Sequence, residues 1–591
     1  MFRPQEQTRE AAQTDVASQD IALFKLVGGV LRPYWLWTVL ALLLMAVVAG
    51  LNVVPPYLLQ QAIDGPIARG EVATLWQLSL LYGFTAVASY LITLGYTYFL
   101  QMAAQRALAD LRSKLFNHIF TQDYAFLNRT PIGELVARLT SDIDTINALL
   151  SNSIVVILVE GITLIVIVAV MLAQNWQLAL LALSVLPLVT IATRFFRRRI
   201  RQSSTGERAA LARISSFLNE RLHGMTVVQL FGHQEESEEE YDIYNGNYRH
   251  ALIVLRKHSA VFLSVQEILA AFGMGMILYW GGKGVLAGWA TLGVLVAFIQ
   301  YTDRAFQPIL NLSQEYNTIQ IALGAAERIY RMLQTAPSIK SPAQPVSIAS
   351  LRGEIEFNHV KFAYKPEEPV LKDISIRIPA GQALAIVGAT GAGKSSMVSL
   401  LARYYDPTDG AILLDGIDIR QLRIEELRRL IVVVPQDPVC LEGSIRHNIT
   451  LFRQDISEEQ LHSAAELSNA ARFIEQLPGG YDFKVMAGGA NLSQGQRQLL
   501  ALARALAHSP NAVLVLDEAT SSIDTATEAL IQEALARILR SRTSVVIAHR
   551  LSTVRNADRI IVMEKGRIVE EGDHQSLLEK GGYYARLHQH L

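Results

Sequence analysis

Cysteine is almost missing from this chain: Cys440 stands alone among 591 residues. An intrachain disulfide and a cysteine-based zinc site are therefore excluded, and Cys440 reads as a core thiol. Charge is sparse as well. Charged residues are 18% of the chain, and 53 basic side chains against 54 acidic ones leave a net charge of −1. Ordinary soluble proteins carry about a quarter charged residues. With no basic excess there is no electrostatic pull toward nucleic acid, which is not an expected partner. The first twenty residues hold no apolar run, so no secretion signal is expected there. Low-complexity tracts and short internal repeats are also missing.

What the chain does have is apolar length. Hydrophobic residues make up 51%, mean hydropathy is +0.24, and the length calls for two or more domains. The apolar runs all lie before about residue 315, near 35–61, 75–100, 152–173, 177–195, 258–281 and 290–314. Each approaches or exceeds the roughly 20 residues that a helix needs to cross a bilayer, so six membrane helices are expected. Pro55 and Pro56 interrupt the first. The connections alternate between short and long. The long ones, near 101–151 and 196–257, carry Arg106, Arg112 and Lys114, and Arg194, Arg197, Arg198, Arg199 and Arg201; the short ones hold Arg69 and Lys283. The excess of positive charge places the long loops and both termini in the cytoplasm.

Past a Pro/Ser/Ala-rich stretch at 336–350, read as a linker, the pattern changes to short β-rich runs alternating with helical ones. That is an α/β domain. GATGAGKSS at 388–396 follows the run ALAIV and precedes a helical pattern. It matches G-x-x-x-x-G-K-[ST] at every fixed position. Gly388, Ala389, Thr390, Gly391, Ala392 and Gly393 would wrap backbone N–H groups around phosphates at a helix N-terminus, with Ser396 completing the stretch. Lys394 would reach the β- and γ-phosphates, and Ser395 would ligate Mg²⁺. AVLVLDE at 512–518 is a buried-strand pattern ending in two carboxylates. Asp517 would hold Mg²⁺ and Glu518 would polarise the attacking water, since phosphoryl transfer needs a positioned water and neutralised charge.

Between these stands NLSQGQRQ at 491–498. LSQGQ ahead of LDEAT resembles the signature of ATP-binding cassette (ABC) proteins, and further elements follow in the family's order. The resemblance implies that Tyr364 in VKFAY stacks on adenine and that Gln436 in VVPQDP contacts Mg²⁺ and water. It also implies that Asp524 in SSID is the D-loop aspartate and that His549 in VVIAHR contacts the γ-phosphate. Ser493 and Gly495 would face the γ-phosphate held by a partner chain. FLNRTPIGELVARLTSDID at 126–144, GMTVVQLFGHQEE at 224–236 and ALGAAERIYRML at 322–333 extend the resemblance to type IV exporters. By position the coupling helices are expected near Phe126–Gly133 and Leu230–Glu235. The implied architecture is an all-α six-helix transmembrane domain (1–335), the linker, and an α/β P-loop nucleotide-binding domain (351–591). The implied activity is ATP-driven, Mg²⁺-dependent export of a small hydrophobic or amphipathic substrate (drug, lipid or peptide) through the lipid bilayer of the cell membrane. A lipid flippase, and an ATP-gated channel or regulatory receptor, are the alternatives.

The chain departs from the family's pattern at two positions, the first bearing on the partner and the second on the contact with the coupling helices. Gln494 replaces the first glycine of the usual LSGGQ, and Ala487 stands where exporters often carry a glutamate. An intact Glu518 beside an altered signature resembles one half of a heterodimer, which is favoured modestly over a homodimer. In the sixth apolar run, Gln300, Arg304, Gln307, Asn311 and Gln314 stay within about 40° of one line for roughly 21 Å, with Asp303 beside them. The stripe is expected to line the transport cavity or to be hydrated past the bilayer, and Pro308 permits a kink. Glu160 and Glu267 are further intramembrane acids, suited to substrate binding, proton coupling or helix pairing.

Overall fold

The computed structural model describes residues 25–26, 28–517, 524–548 and 554–588. The chain divides into two compact units: one of residues 1–120 and 132–335, the other of residues 121–131 and 336–591.

The first unit is helical. Five helical segments are long and apolar enough to cross a membrane: Gly28–Ile67, Val72–Phe120, Ile132–Gln174, Trp176–His223 and Gln234–Ala287. The sixth expected span lies in the continuous helix Leu292–Gln334, whose 43 residues reach about 65 Å at 1.5 Å each. It runs unbroken through Pro308. The first segment breaks at Asn52–Val53, upstream of the proline pair, between helices Trp35–Leu51 and Val54–Ala62. Pro55 and Pro56 fall in the first turn of the second helix, where a missing N–H costs nothing. Ile167, Met171, Leu178, Ile277, Phe298 and Tyr301 form a buried interhelical core, while Leu43, Phe84, Leu91 and Ile165 are exposed, as apolar residues facing lipid would be.

The start of the last long helix is fixed by an acid. Asp64, in the π-helical turn Ile63–Ile67, accepts the Gly293 N–H at 2.8 Å and the Thr291 hydroxyl. Thr291 itself caps the helix through the Val294 N–H. A carboxylate at this end complements the helix dipole. Gly293 is needed there because a Cβ would stand 2.5 Å from the Gln60 carbonyl oxygen.

The second unit contains β1 (Ile355–Ala363), β2 (Pro369–Ile378), β3 (Ala383–Gly388), β4 (Asp409–Leu414), β5 (Ile417–Asp418), β6 (Ile431–Val434), β7 (Gly443–Ser444), β8 (Lys484–Val485), β9 (Val513–Asp517), β10 (Ser544–Ile547), β11 (Arg559–Glu564) and β12 (Arg567–Gly572). A four-stranded sheet runs β2-β1-β4-β5, and a six-stranded sheet runs β12-β11-β3-β10-β9-β6. In the larger sheet β11, β3, β10, β9 and β6 are parallel. Both faces of these strands are buried. Leu384, Ile386, Val515 and Ile547 enter one core, and Ala385, Val387, Leu516 and Val546 enter the other. This is why ALAIV, VLVL and SVVI are continuous apolar runs rather than alternating ones.

The 336–350 stretch is irregular but held to its unit. Buried Arg403 donates to the Lys340 carbonyl, the Ile424 N–H donates to the Ser341 hydroxyl, and Glu426 accepts from Ser347 and the Ile348 N–H.

Candidate functional site

The parallel strands bring the sequence motifs to one edge of the sheet. β3 ends at Gly388, β9 at Asp517 and β6 at Val434, two residues before Gln436. Asp517 lies abreast of Ile547 on β10, two residues before His549. Ligand sites of open α/β sheets form outside these carboxyl ends. β10 separates β3 from β9, so the loop after β3 and Asp517 are two strand spacings apart, about 9–10 Å.

Within the 388–396 loop, Gly388, Gly391 and Gly393 have φ of 153°, 82° and 104°. A Cβ on Gly388 would meet the Met563 carbonyl oxygen at 2.3 Å, and one on Gly393 would meet Leu371 at 2.7 Å. No side chain fits at either position, and the backbone is left free to approach an anion. Helix Lys394–Leu401 opens directly from the loop, so its N-terminal N–H groups face the same space. Lys394 is buried, and its ammonium donates to the Gly388 and Ala389 carbonyls at 2.7 and 3.1 Å. Burial pushes its pKa down, and the Asp517 carboxylate opposes that shift. A buried cation folded over a ring of amides fits a polyphosphate. Mg²⁺ takes hard oxygen donors and phosphate oxygens. Ser395, Gln436 and Asp517 offer a hydroxyl, an amide and a carboxylate, a donor set that fits that ion.

Tyr364, just past β1, is exposed. Its hydroxyl lies 3.2 Å from the Ser396 hydroxyl, and its ring meets Phe362 and Tyr405. Ser493 caps helix Gln494–His508 in a reciprocal box with Gln496, which places Gln494 in the first turn and buries Gly495. Gln498, four residues beyond Gln494, donates from its amide to the Gln436 carbonyl at 3.4 Å. Sequence reading missed this tie between two motifs; the signal was one more glutamine on the buried face of the signature helix. Asp524 caps helix Thr525–Leu539 through the Thr527 N–H. That hydrogen bond holds its carboxyl below the ordinary range. Glu518 and His549 lie outside the described residues.

Ala487 is exposed, at the start of the turn Ala487–Gly489. Gly489 in that turn sits against Cys440 and Arg497; a Cβ there would stand 3.1 Å from the Cys440 Cβ. Cys440 is buried, and burial pushes its thiol pKa up, as suits a packing residue.

The short helices nearest the two expected coupling positions lie further toward the N-terminus. The first spans Tyr124–Arg129, because the Asp123 side chain caps it and Pro131 forces Thr130 into extended backbone. Gly133 already belongs to the next helix, Ile132–Ala137. The nearest to the second is Met225–Leu230; residues 231–233 form the turn through Gly232, whose φ is 69°, and Gln234 and Glu235 already open the helix Gln234–Ala287.

Two members of the polar stripe are bound to neighbouring helices. Arg304 donates to the Asn52 carbonyl, and Asn311 donates to Glu160 at 2.8 Å. Glu160 thus pairs across helices, whereas Glu267 is exposed. The Gln314 side chain lies outside the described residues.

The family model described as the ABC transporter transmembrane region matches residues 38–309, and that described as ABC transporter matches 371–521. An ATP-dependent lipid A-core flippase of Syntrophus aciditrophicus is 34% identical over 97% of this chain and 95% of its own length. This chain is an ABC transporter. Other similar transporters are a fatty acid ABC transporter ATP-binding/permease protein of Mycobacterium bovis, 34% identical over 91% of this chain and 83% of its own, and a probable multidrug resistance ABC transporter ATP-binding/permease protein of Bacillus subtilis, 35% identical over 88% and 77%. The ABC transporter has a membrane unit and an ATP-binding unit in one chain, the composition of a type IV half-transporter. It is a multi-pass membrane protein with a cytoplasmic ATPase unit, and it couples ATP hydrolysis to export.

Proposed function

We propose that this half-transporter exports a lipid or another amphipathic molecule, as one of two chains that enclose two ATP molecules. The observation that carries the reading is the gathering of the 388–396 loop, Gln436 and Asp517 at one sheet edge, in a chain with membrane-length helices. Tyr364 would stack on the base, and Lys394 with the loop amides would hold the β- and γ-phosphates. Ser395, Gln436 and Asp517 would hold Mg²⁺, which when bound neutralises developing charge on the phosphates. Glu518 would orient the attacking water, and His549 would contact the γ-phosphate. Ser493 and Gly495 would complete the site on the partner chain. Uptake of a fluorescent lipid and of a cationic drug into inverted vesicles tests this reading. ATP-dependent accumulation of either, abolished by Glu518→Gln, supports export; no accumulation of either defeats it. The flippase names among the relatives favour lipid, and movement of lipid without drug would select a dedicated flippase.

The partner is proposed to be a different chain. Gln494 brings a side chain to a close backbone approach where glycine is usual, which would weaken the composite site this surface joins, while Glu518 equips the chain's own. The expected result is low ATPase activity from this chain alone and a rise on co-purification with the product of an adjacent gene. Full activity from the single chain overturns the heterodimer.

A further inference from the structure

Five aromatic rings of the ATPase unit form one connected set. Tyr364 meets Tyr405 edge-on, with ring centres 5.1 Å apart at 89°. Phe362 packs against both, at 4.7 Å from Tyr364 and 5.6 Å from Tyr405. On its other side Tyr405 meets Tyr124 at 6.4 Å and 86°. Tyr124 in turn lies stacked on Tyr404, at 4.5 Å and 19°. Tyr124 opens the cytoplasmic-tip helix Tyr124–Arg129, and residues 121–131 cluster with this unit. Within the set, Tyr405 is the ring that touches both Tyr364 and Tyr124.

The backbone fixes Tyr405 in place. It follows helix Lys394–Leu401 by four residues, so a short segment joins the helix that opens at the 388–396 loop to this ring. Between them Arg403 holds a φ of 49°, and its buried guanidinium donates to the carbonyls of Ile419, Leu422 and Lys340. The tip helix has an anchor of its own. The Asp123 carboxylate caps it through the Phe126 N–H at 2.8 Å and also accepts the Ser338 N–H and hydroxyl.

We propose that Tyr405 is a positioning residue that makes docking of the Tyr124–Arg129 helix depend on the nucleotide base at Tyr364. This rests on the reading of Tyr364 as the base platform. Edge-to-face contact needs a defined angle between rings. A base stacked on Tyr364 stops that ring from turning and so restricts Tyr405. The order then passes to the Tyr124–Tyr404 stack, because a ligand that rigidifies one member of a packed set lowers the cost of ordering the next.

Hydrogen exchange of the 124–129 amides tests this in the full transporter in lipid nanodiscs, with and without saturating MgATP. Binding of a fluorescent ATP analogue is measured in parallel. In the natural protein MgATP is expected to slow exchange about threefold or more, the mark of a local opening made rarer. Tyr405→Leu should bind the analogue with affinity unchanged within about twofold and lose the slowing, and Tyr405→Phe, which keeps the ring, should retain it. Tyr364→Leu, saturated at higher ATP, should lose the slowing too, which covers the case of a poorly folded Tyr405→Leu. Slowing that persists in Tyr405→Leu or in Tyr364→Leu, or that is absent from the natural protein, overturns the proposal. Unchanged analogue affinity in Tyr364→Leu would instead overturn the base-platform reading.

Discussion

Gly388 and Gly391 stand at the start of the 388–396 loop with different surroundings. Both have positive φ, but a Cβ on Gly388 would collide with the Met563 carbonyl, whereas nothing lies within 4 Å of one on Gly391. Gly388→Ala must therefore displace a β11 carbonyl as well as strain its own backbone. It is expected to cost about 2–4 kcal/mol, and Gly391→Ala about 1 kcal/mol. Thermal unfolding of the two purified variants would check the order, and equal losses would contradict it. Lys394→Ala removes the ammonium that faces the loop carbonyls. It should lower the ATPase rate on the order of 10²–10³-fold, with unfolding little changed, as steady-state hydrolysis and calorimetry would show.

At the scale of elements, a single carboxylate organises the first cytoplasmic tip. Burial alone would raise the Asp123 pKa, but hydrogen bonds from Ser338, Phe126 and Ile339 outweigh it and hold the carboxyl below its ordinary value of 3.8. A carboxyl lowered on folding contributes stability above its unfolded pKa and loses it as pH falls through the folded one. The Asp123 contribution should thus be constant from pH 8 to pH 5 and disappear only below 3.8. Asp123→Ala, which removes the cap at every pH, should cost about 1 kcal/mol. Exchange protection of residues 124–129 measured across that range would reveal a loss near neutral pH if the reading were wrong. In the membrane unit, Arg328 donates two hydrogen bonds to Asp142, whose side chain is 11% exposed. Arg328→Ala strands that carboxylate and is expected to destabilise by about 1–3 kcal/mol. Thermal unfolding in detergent would check it, and Asp142→Asn, which leaves no buried charge behind, should cost less.

Over the whole molecule, two apolar regimes correspond to two solvents. Runs of membrane length face lipid or one another, and runs of strand length are covered on both faces by helices and the second sheet. That difference in period and length is why the transmembrane–ATPase order was legible before any coordinates. The membrane-length helices, the parallel α/β core and the glycines of the 388–396 loop all follow from local patterns of apolar residues and glycine. Helix ends were less legible. The break at Asn52–Val53 and the tip helix at Tyr124–Arg129 depend on caps and on the residue preceding a proline, which move a boundary by two residues or more without changing the apolar pattern.

The sequence by itself determined the chemistry on offer: a glycine-rich loop ahead of Lys394, a strand ending in Asp517, a glutamine at position 494, and enough apolar length for a bilayer. Covalent order carries these because each is a short run whose neighbours are fixed by the chain. Only the tertiary structure decided which distant groups meet. It set Gln498 against the Gln436 carbonyl, Asn311 against Glu160, Asp123 against Ser338 and Tyr405 between Tyr364 and Tyr124. Such pairs are separated by tens to hundreds of residues, and their contact is fixed by strand order and helix packing, which no local pattern encodes.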